Sequence, residues 1–296
     1  MKQRAVLAVL AAAALFGTSA SAKALLLPDA SPTAIAGWRL LVGALGLLVI
    51  AYLTGGGLTR LLRVPLIYPM AIAVAGYQAL FFVGTERTGV AMGTLASLAL
   101  APFLAGMLGW TLREGAPGRI WAISTVLAVI GLGLLTLTGG ADADGLGILA
   151  AFGAGASYAV YTVLGGRLTR DGHNSTSVLA VSFTIGAILL LPFVAGDFGA
   201  VMTPAGIGLI LWLGLGATAL AYYLFGVGLR SLQPGHVATL NLAEPVVATI
   251  LGVIVLGEVL TGWGWMGCIV IVAALALLGL SERDRSQLLP PQTMVK

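Results

Sequence analysis

The sequence predicts an all-α integral membrane protein, with ten transmembrane helices laid out as two inverted five-helix repeats. Three observations carry that expectation: a very apolar composition, apolar runs of bilayer length separated by tight joints, and a match between the two halves of the chain. Of 296 residues, 59% are hydrophobic and 9% charged, against about 25% charged in a soluble domain. Such a chain reads as polytopic. An apolar run of about 20 residues at about 1.5 Å rise covers a hydrocarbon core of roughly 30 Å.

The first run, 5–27, follows Lys2 and Arg4 and contains Ser19-Ala-Ser-Ala22, which imitates a cleavable signal peptide. Apolar character resumes after Lys23, so a retained first span is expected. Span two, 33–53, is entered through the turn Pro28-Asp-Ala-Ser-Pro32, and span three, 65–84, follows the turn-forming Gly55-Gly-Gly57. Spans four and five, 88–112 and 119–138, end at Gly139-Gly140. Span six, 145–166, closes near Arg170-Asp-Gly172, and spans seven to ten are 176–196, 204–229, 234–256 and 262–280. No joint has room for a soluble domain.

The formal charge of +4 and the pI near 9.5 invite a nucleic-acid reading, but the positions of the charges argue against it. With the N-terminus placed in the cytoplasm, twelve of the 15 Lys and Arg residues fall on that side. Lys23 and Arg87 fall on the other, and Arg39 lies inside span two. This is a positive-inside pattern with both termini cytoplasmic, so the basicity is a topology signal. Cys268 is the single cysteine, and His173 and His236 are the two histidines. That inventory excludes an internal disulfide and leaves no cofactor or metal site to expect. Gly262-Trp-Gly-Trp-Met-Gly267 fits a dinucleotide fingerprint in letters only, because it opens a span and follows no strand.

The halves match in order. Leu10-Ala-Ala-Ala13 to Leu25 aligns without gaps on Leu149-Ala-Ala-Phe152 to Leu164, and Ala101-Pro102 in span four aligns on Glu244-Pro245 in span nine. Each proline is followed by a glutamate at the helix end, Glu114 and Glu258. Repeats of five spans must run in opposite directions, the plan of many secondary transporters. The expected division is 1–140 for the first repeat, 141–281 for the second and 282–296 for a cytoplasmic tail.

On these residues the chain resembles the drug/metabolite transporter superfamily, in particular its ten-helix EamA-type permeases. The resemblance rests on Phe16-Gly-Thr-Ser19 in span one, Trp38-Arg39 in span two and Pro102 with Glu114. Its strongest part is Leu242-Ala-Glu-Pro245 through Leu256-Gly-Glu258, followed by Gly267. It implies cytoplasmic termini, a cavity lined mainly by spans one, three, four, six, eight and nine, and usually export of amino acids or related small metabolites. Ala101 departs from symmetry with Glu244, so an acidic site in the cavity is one-sided.

Glu244 lies near mid-depth of its span, where a carboxylate costs about 2.5 kcal/mol or more in lipid. It therefore faces a wet cavity or a partner group. Pro245 removes a backbone N–H and clashes with the carbonyl of Asn241, exposing polar backbone beside the acid. Asn241 and Glu244, three apart, share a helix face. The candidate substrate-binding set is Glu244, Asn241, Tyr77, Gln78, Tyr158, Tyr161 and Tyr222, with Glu244 also the candidate proton-coupling residue. Phe81, Ser157 and Tyr223 lie near them. Each aromatic or polar group serves either as part of a site among apolar walls or as interhelical glue. Arg39 either snorkels to the surface or pairs with Glu244 or a substrate carboxylate. His236 is expected in a loop or at a helix start rather than as a proton relay, and Glu114 and Glu258 as caps or gate contacts. The expected partners are a small-molecule substrate, protons and the lipid bilayer, for a chain working as a monomer. A membrane enzyme would need a second buried carboxylate, a Ser/His pair or a metal cluster at depth.

Overall fold

The computed structural model describes residues 2–54, 56–88, 90–113, 118–136, 144–194, 198–257 and 259–288. These fold as helices joined by short turns. They are α1 (Lys2–Leu26), α2 (Pro32–Leu53), α3 (Leu58–Leu61), α4 (Ile67–Thr88), α5 (Val90–Thr111), α6 (Arg119–Thr136), α7 (Gly145–Arg170) and α8 (Ser175–Val194). The chain continues through α9 (Phe198–Val201), α10 (Pro204–Leu211), a π-helical segment (Trp212–Leu220), α11 (Ala221–Leu229), α12 (Pro234–Leu240), α13 (Ala243–Leu256) and α14 (Gly262–Leu288). Among the described residues, eight helical stretches are long and apolar enough to cross a membrane, and two shorter apolar helices, Ala96–Thr111 and Arg119–Leu135, lie where spans four and five are expected. Glu114 and Glu258 lie outside the described residues.

Helix starts follow the local chemistry. Pro32 and Pro204 sit in the first turn, where a missing N–H costs nothing. The residue before each caps the turn, Ser31 Oγ accepting from Ala34 N and Thr203 Oγ1 from Gly206 N. Asp144 caps α7 by accepting from Leu146 N at 3.2 Å. Asp144 also joins α7 to the end of α4, since Arg87 donates to it at 2.7 Å.

Two spans are less regular than expected. Span eight is not one α-helix: nine residues from Trp212 to Leu220 form wider π turns between α10 and α11. Span nine breaks in two at Asn241 and Leu242.

The main helix pairings join the two halves of the chain. α4 lies along α7, as α11 and the π segment lie along α1; α5 packs on α7 as α13 packs on α1; α4 meets α8 as the π segment meets α2. The remaining large contacts, α2 with α8, α6 with α14 and α5 with α12, also cross between halves. Exchanging each span for its counterpart five spans later maps this pattern onto itself. The shared core includes Val9, Leu40, Leu47, Met70, Phe183, Phe225 and Ile271, all buried, while Leu45, Val49, Ile72, Ile188, Ile254 and Ile269 point outward. An apolar exterior around a small-residue interior is what a lipid solvent selects.

Candidate functional site

The break in span nine lies where Pro245 leaves one hydrogen bond unmade, beside the polar pair Asn241 and Glu244. Pro245 cannot donate to Asn241 O, four residues back. That carbonyl accepts from Glu244 N instead, at 2.9 Å, while Leu242 N reaches Thr239 O at 3.0 Å. These tight three-residue turns end α12 and restart the chain as α13, so Glu244 sits in the first turn of a half-helix near the middle of Pro234–Leu256. Asn241 Nδ2 donates to Glu244 Oε2 at 3.1 Å. Asn241 is 3% exposed, and its Oδ1 has no hydrogen-bond partner among the described residues. Two acceptors, a carboxylate and an amide oxygen, therefore stand together inside the bundle.

Span one fits against this break. A Cβ on Gly17 would lie 2.8 Å from Glu244 O and 2.8 Å from Val247 Cβ, so only glycine allows the approach. Its neighbour Phe16 stacks on Tyr222 with ring centroids 4.8 Å apart. Span one thus carries the Phe16-Gly-Thr-Ser19 motif to the acid.

An aromatic cluster lies near the acid. Tyr158 and Tyr161 of α7 have centroids 5.0 Å apart, and Tyr77 of α4 meets them at 5.7 and 5.9 Å. Tyr161 and Tyr222 hydroxyls are 3.3 Å apart. Phe183 of α8 touches Tyr222 at 4.3 Å, and Phe225 of α11 meets Tyr158, Tyr161 and Tyr222. Glu244 lies within electrostatic range of Tyr77, Tyr158 and Tyr222. Arg39 shares that range with Glu244, Tyr77 and Tyr222. Rings and acid can together hold an ammonium group by charge, hydrogen bonding and cation–π attraction.

Six of the seven candidate residues, Glu244, Asn241, Tyr77, Tyr158, Tyr161 and Tyr222, converge here from α4, α7, α11 and the α12–α13 break. Gln78 does not face this cluster. It is buried against a separate cavity of about 80 Å³ between α2, α4 and α8, lined by Thr33, Ala36, Gly37, Ala79, Val83 and Leu190 as well. The reason is helical geometry: consecutive residues are rotated by about 100°, so Tyr77 and Gln78 cannot share a face. Ser157 packs against Gly76. His236 occupies the first turn of α12, buried.

Arg39 points inward rather than snorkelling out, its Nε donating to Thr218 Oγ1 at 3.4 Å in the π segment. Phe16, Phe183, Phe225 and Thr218 complete the surroundings. Of these only Phe16 belongs to a motif, and an apolar ring in an apolar span gives no signal of its direction.

Comparison with known proteins gives the family. The model of the EamA-like transporter family matches the chain twice, at residues 3–137 and 145–280. The chain is 37% identical over 281 residues to the uncharacterized transporter YwfM of Bacillus subtilis, covering 94% of each. It is 33% identical over 218 residues to the threonine/homoserine exporter RhtA of Salmonella typhimurium, covering 72% of this chain and 70% of that one. A crystal structure at 20% identity superposes with a TM-score of 0.81, covering 96% of this chain and 99% of the other, a likeness of fold. Two matched repeats, relatives along nearly the whole length and apolar helices of bilayer length make the chain an integral membrane protein of the EamA-like transporter family.

Proposed function

We propose that this transporter is a secondary carrier of the inner membrane that exports amino acids or related amines by alternating access, exchanging them for protons at Glu244. Ten crossings form two inverted five-helix halves, both termini are cytoplasmic, and one chain suffices. The observation that carries the reading is the acceptor pair at the break, Glu244 with the unpartnered Asn241 Oδ1, beside Tyr77, Tyr158, Tyr161 and Tyr222. Broken helices at mid-membrane mark substrate sites in inverted-repeat carriers. A relative that exports threonine and homoserine supports the substrate class.

A carboxylate in this position binds either a proton or a substrate ammonium. Competition between the two couples their movements in opposite directions. The aromatic walls accept varied side chains, which suits a group of amino acids more than one. The test is flux of L-threonine, L-leucine and L-phenylalanine in liposomes carrying an imposed proton gradient. Glu244→Gln is expected to abolish gradient-driven flux while the purified protein keeps its melting behaviour. Undiminished coupled flux in that variant would overturn the proton role; linear, unsaturable flux in the wild type would overturn the carrier.

A further inference from the structure

The chain holds a second interior charge, on span two, with a support of its own. Arg39 is half-buried and lies on the same face of α2 as Gly43, one turn on. Both meet Thr218. A Cβ on Gly43 would run into Thr218 Cγ2, so glycine is what lets α2 reach the π segment. Thr218 is fully buried, and its hydroxyl donates to Leu213 O, five residues back, at 2.8 Å. That partner is the carbonyl a π turn presents, where an α turn would present Gly214 O. With its proton committed, the Thr218 oxygen is turned to accept from Arg39 Nε.

Arg39 and Glu244 feel one another's charge, yet they form no ion pair within 4.0 Å. Each is held instead by a neutral neighbour, Arg39 by Thr218 and Glu244 by Asn241. A guanidinium carries five N–H donors in a planar fork, of which Nε uses one here. Two opposite charges held apart inside an apolar bundle satisfy each other poorly. A molecule carrying both an ammonium and a carboxylate satisfies both.

Building on the function proposed above, we infer that Arg39, positioned by Thr218 of the π segment, binds the substrate carboxylate while Glu244 and Asn241 bind its ammonium. The substrate class is then zwitterionic α-amino acids, preferred over simple amines because only a carboxylate engages the guanidinium. Arg39 is a substrate-binding residue, and Thr218 a positioning residue that acts through it. Charge-assisted hydrogen bonds to a fork of donors are strong and geometrically selective.

The test is equilibrium binding to the purified full-length protein of L-threonine, L-leucine and L-phenylalanine, each beside its carboxamide, which keeps the amine and loses the carboxylate. The wild type is expected to prefer acid to amide by about tenfold or more, the scale of one lost charged hydrogen bond. Arg39→Gln is expected to abolish that preference and Arg39→Lys to restore part of it. Thr218→Val is expected to shrink the preference and Thr218→Ser to keep it, which a purely structural role would not do. Glu244→Gln weakens acid and amide alike. Equal binding of acid and amide by the wild type overturns the inference, as does an unchanged preference in Arg39→Gln. Should Arg39→Gln not fold, an unchanged preference in both Arg39→Lys and Thr218→Val overturns it. Failure of all six probes to bind the wild type, or their indifference to Glu244→Gln, brings down the underlying site reading as well.

Discussion

Spans four and nine occupy equivalent places in the two halves and carry the same proline, yet they fold differently. In span four, Ala101-Pro102 lies inside α5, an unbroken helix from Val90 to Thr111, with Ala101 buried. In span nine, Glu244-Pro245 follows a break that ends α12 and starts α13. A proline in a span therefore does not by itself divide the helix. What distinguishes span nine is the polar pair around its proline, Asn241 and Glu244, which gives the freed backbone and the acid a common arrangement. The asymmetry also makes the site one-sided, with one carboxylate where strict symmetry would place two.

The largest expected effect comes from erasing that difference. Glu244→Ala gives span nine the Ala-Pro of span four and is expected to reduce gradient-driven amino-acid flux in liposomes to background. Its reciprocal, Ala101→Glu, places an acid in a buried spot built for a methyl group. It is expected to lower the yield of folded protein, measured by gel filtration in detergent, because nothing on α5 mirrors Asn241.

Next comes Gly17→Val, which forces side-chain atoms into Glu244 O and Val247. Overpacking of this kind costs about 1–3 kcal/mol, so a clear drop in melting temperature together with loss of flux is expected. A variant that melts like the wild type would deny the close approach. The paired prolines sharpen the comparison further. Pro245→Ala restores an N–H able to reach Asn241 O, favouring one continuous helix. It is expected to slow transport several-fold with little loss of stability, whereas Pro102→Ala should leave transport near wild type.

The smallest effect lies where the end of α4 meets the start of α7. The Arg87 guanidinium, then the Leu146 N–H, hold the Asp144 carboxyl below the usual carboxylate range. A carboxyl depressed in the fold stabilises it above its unfolded value of roughly 3.9. That contribution disappears as pH falls through the lower folded value. Asp144→Asn is therefore expected to lower the melting temperature slightly at neutral pH, less in high salt and not at all in strong acid. Both side chains are exposed, 49% and 41%, so the change is small.

Much of this architecture is legible in the amino-acid sequence. Apolar length matches eight of the helical stretches, Pro245 with Asn241 marks the break, and a lone acid at depth singles out the candidate site. The tyrosines stand out because a polar tip in an apolar run is unusual. The π segment does not: its residues, Trp-Leu-Gly-Leu-Gly-Ala-Thr-Ala-Leu, contain no proline and no charge, and its close neighbour Gly43 lies on another helix. Arg39 cannot be oriented from its own span, because its partner Thr218 is 179 positions away in the chain. Gln78 is misleading through its proximity to Tyr77, since neighbours in sequence diverge around a helix.

The meeting of Gly17 with the Glu244 carbonyl and the Val247 side chain joins a helix of the first half to one of the second, at a point where α1 offers only backbone. Interlocked knobs resist sliding because each step must lift them over one another. The notch at Gly17 removes one such knob from the α1 side, so the first half makes its tightest approach to the acid without a side chain of its own standing in the way.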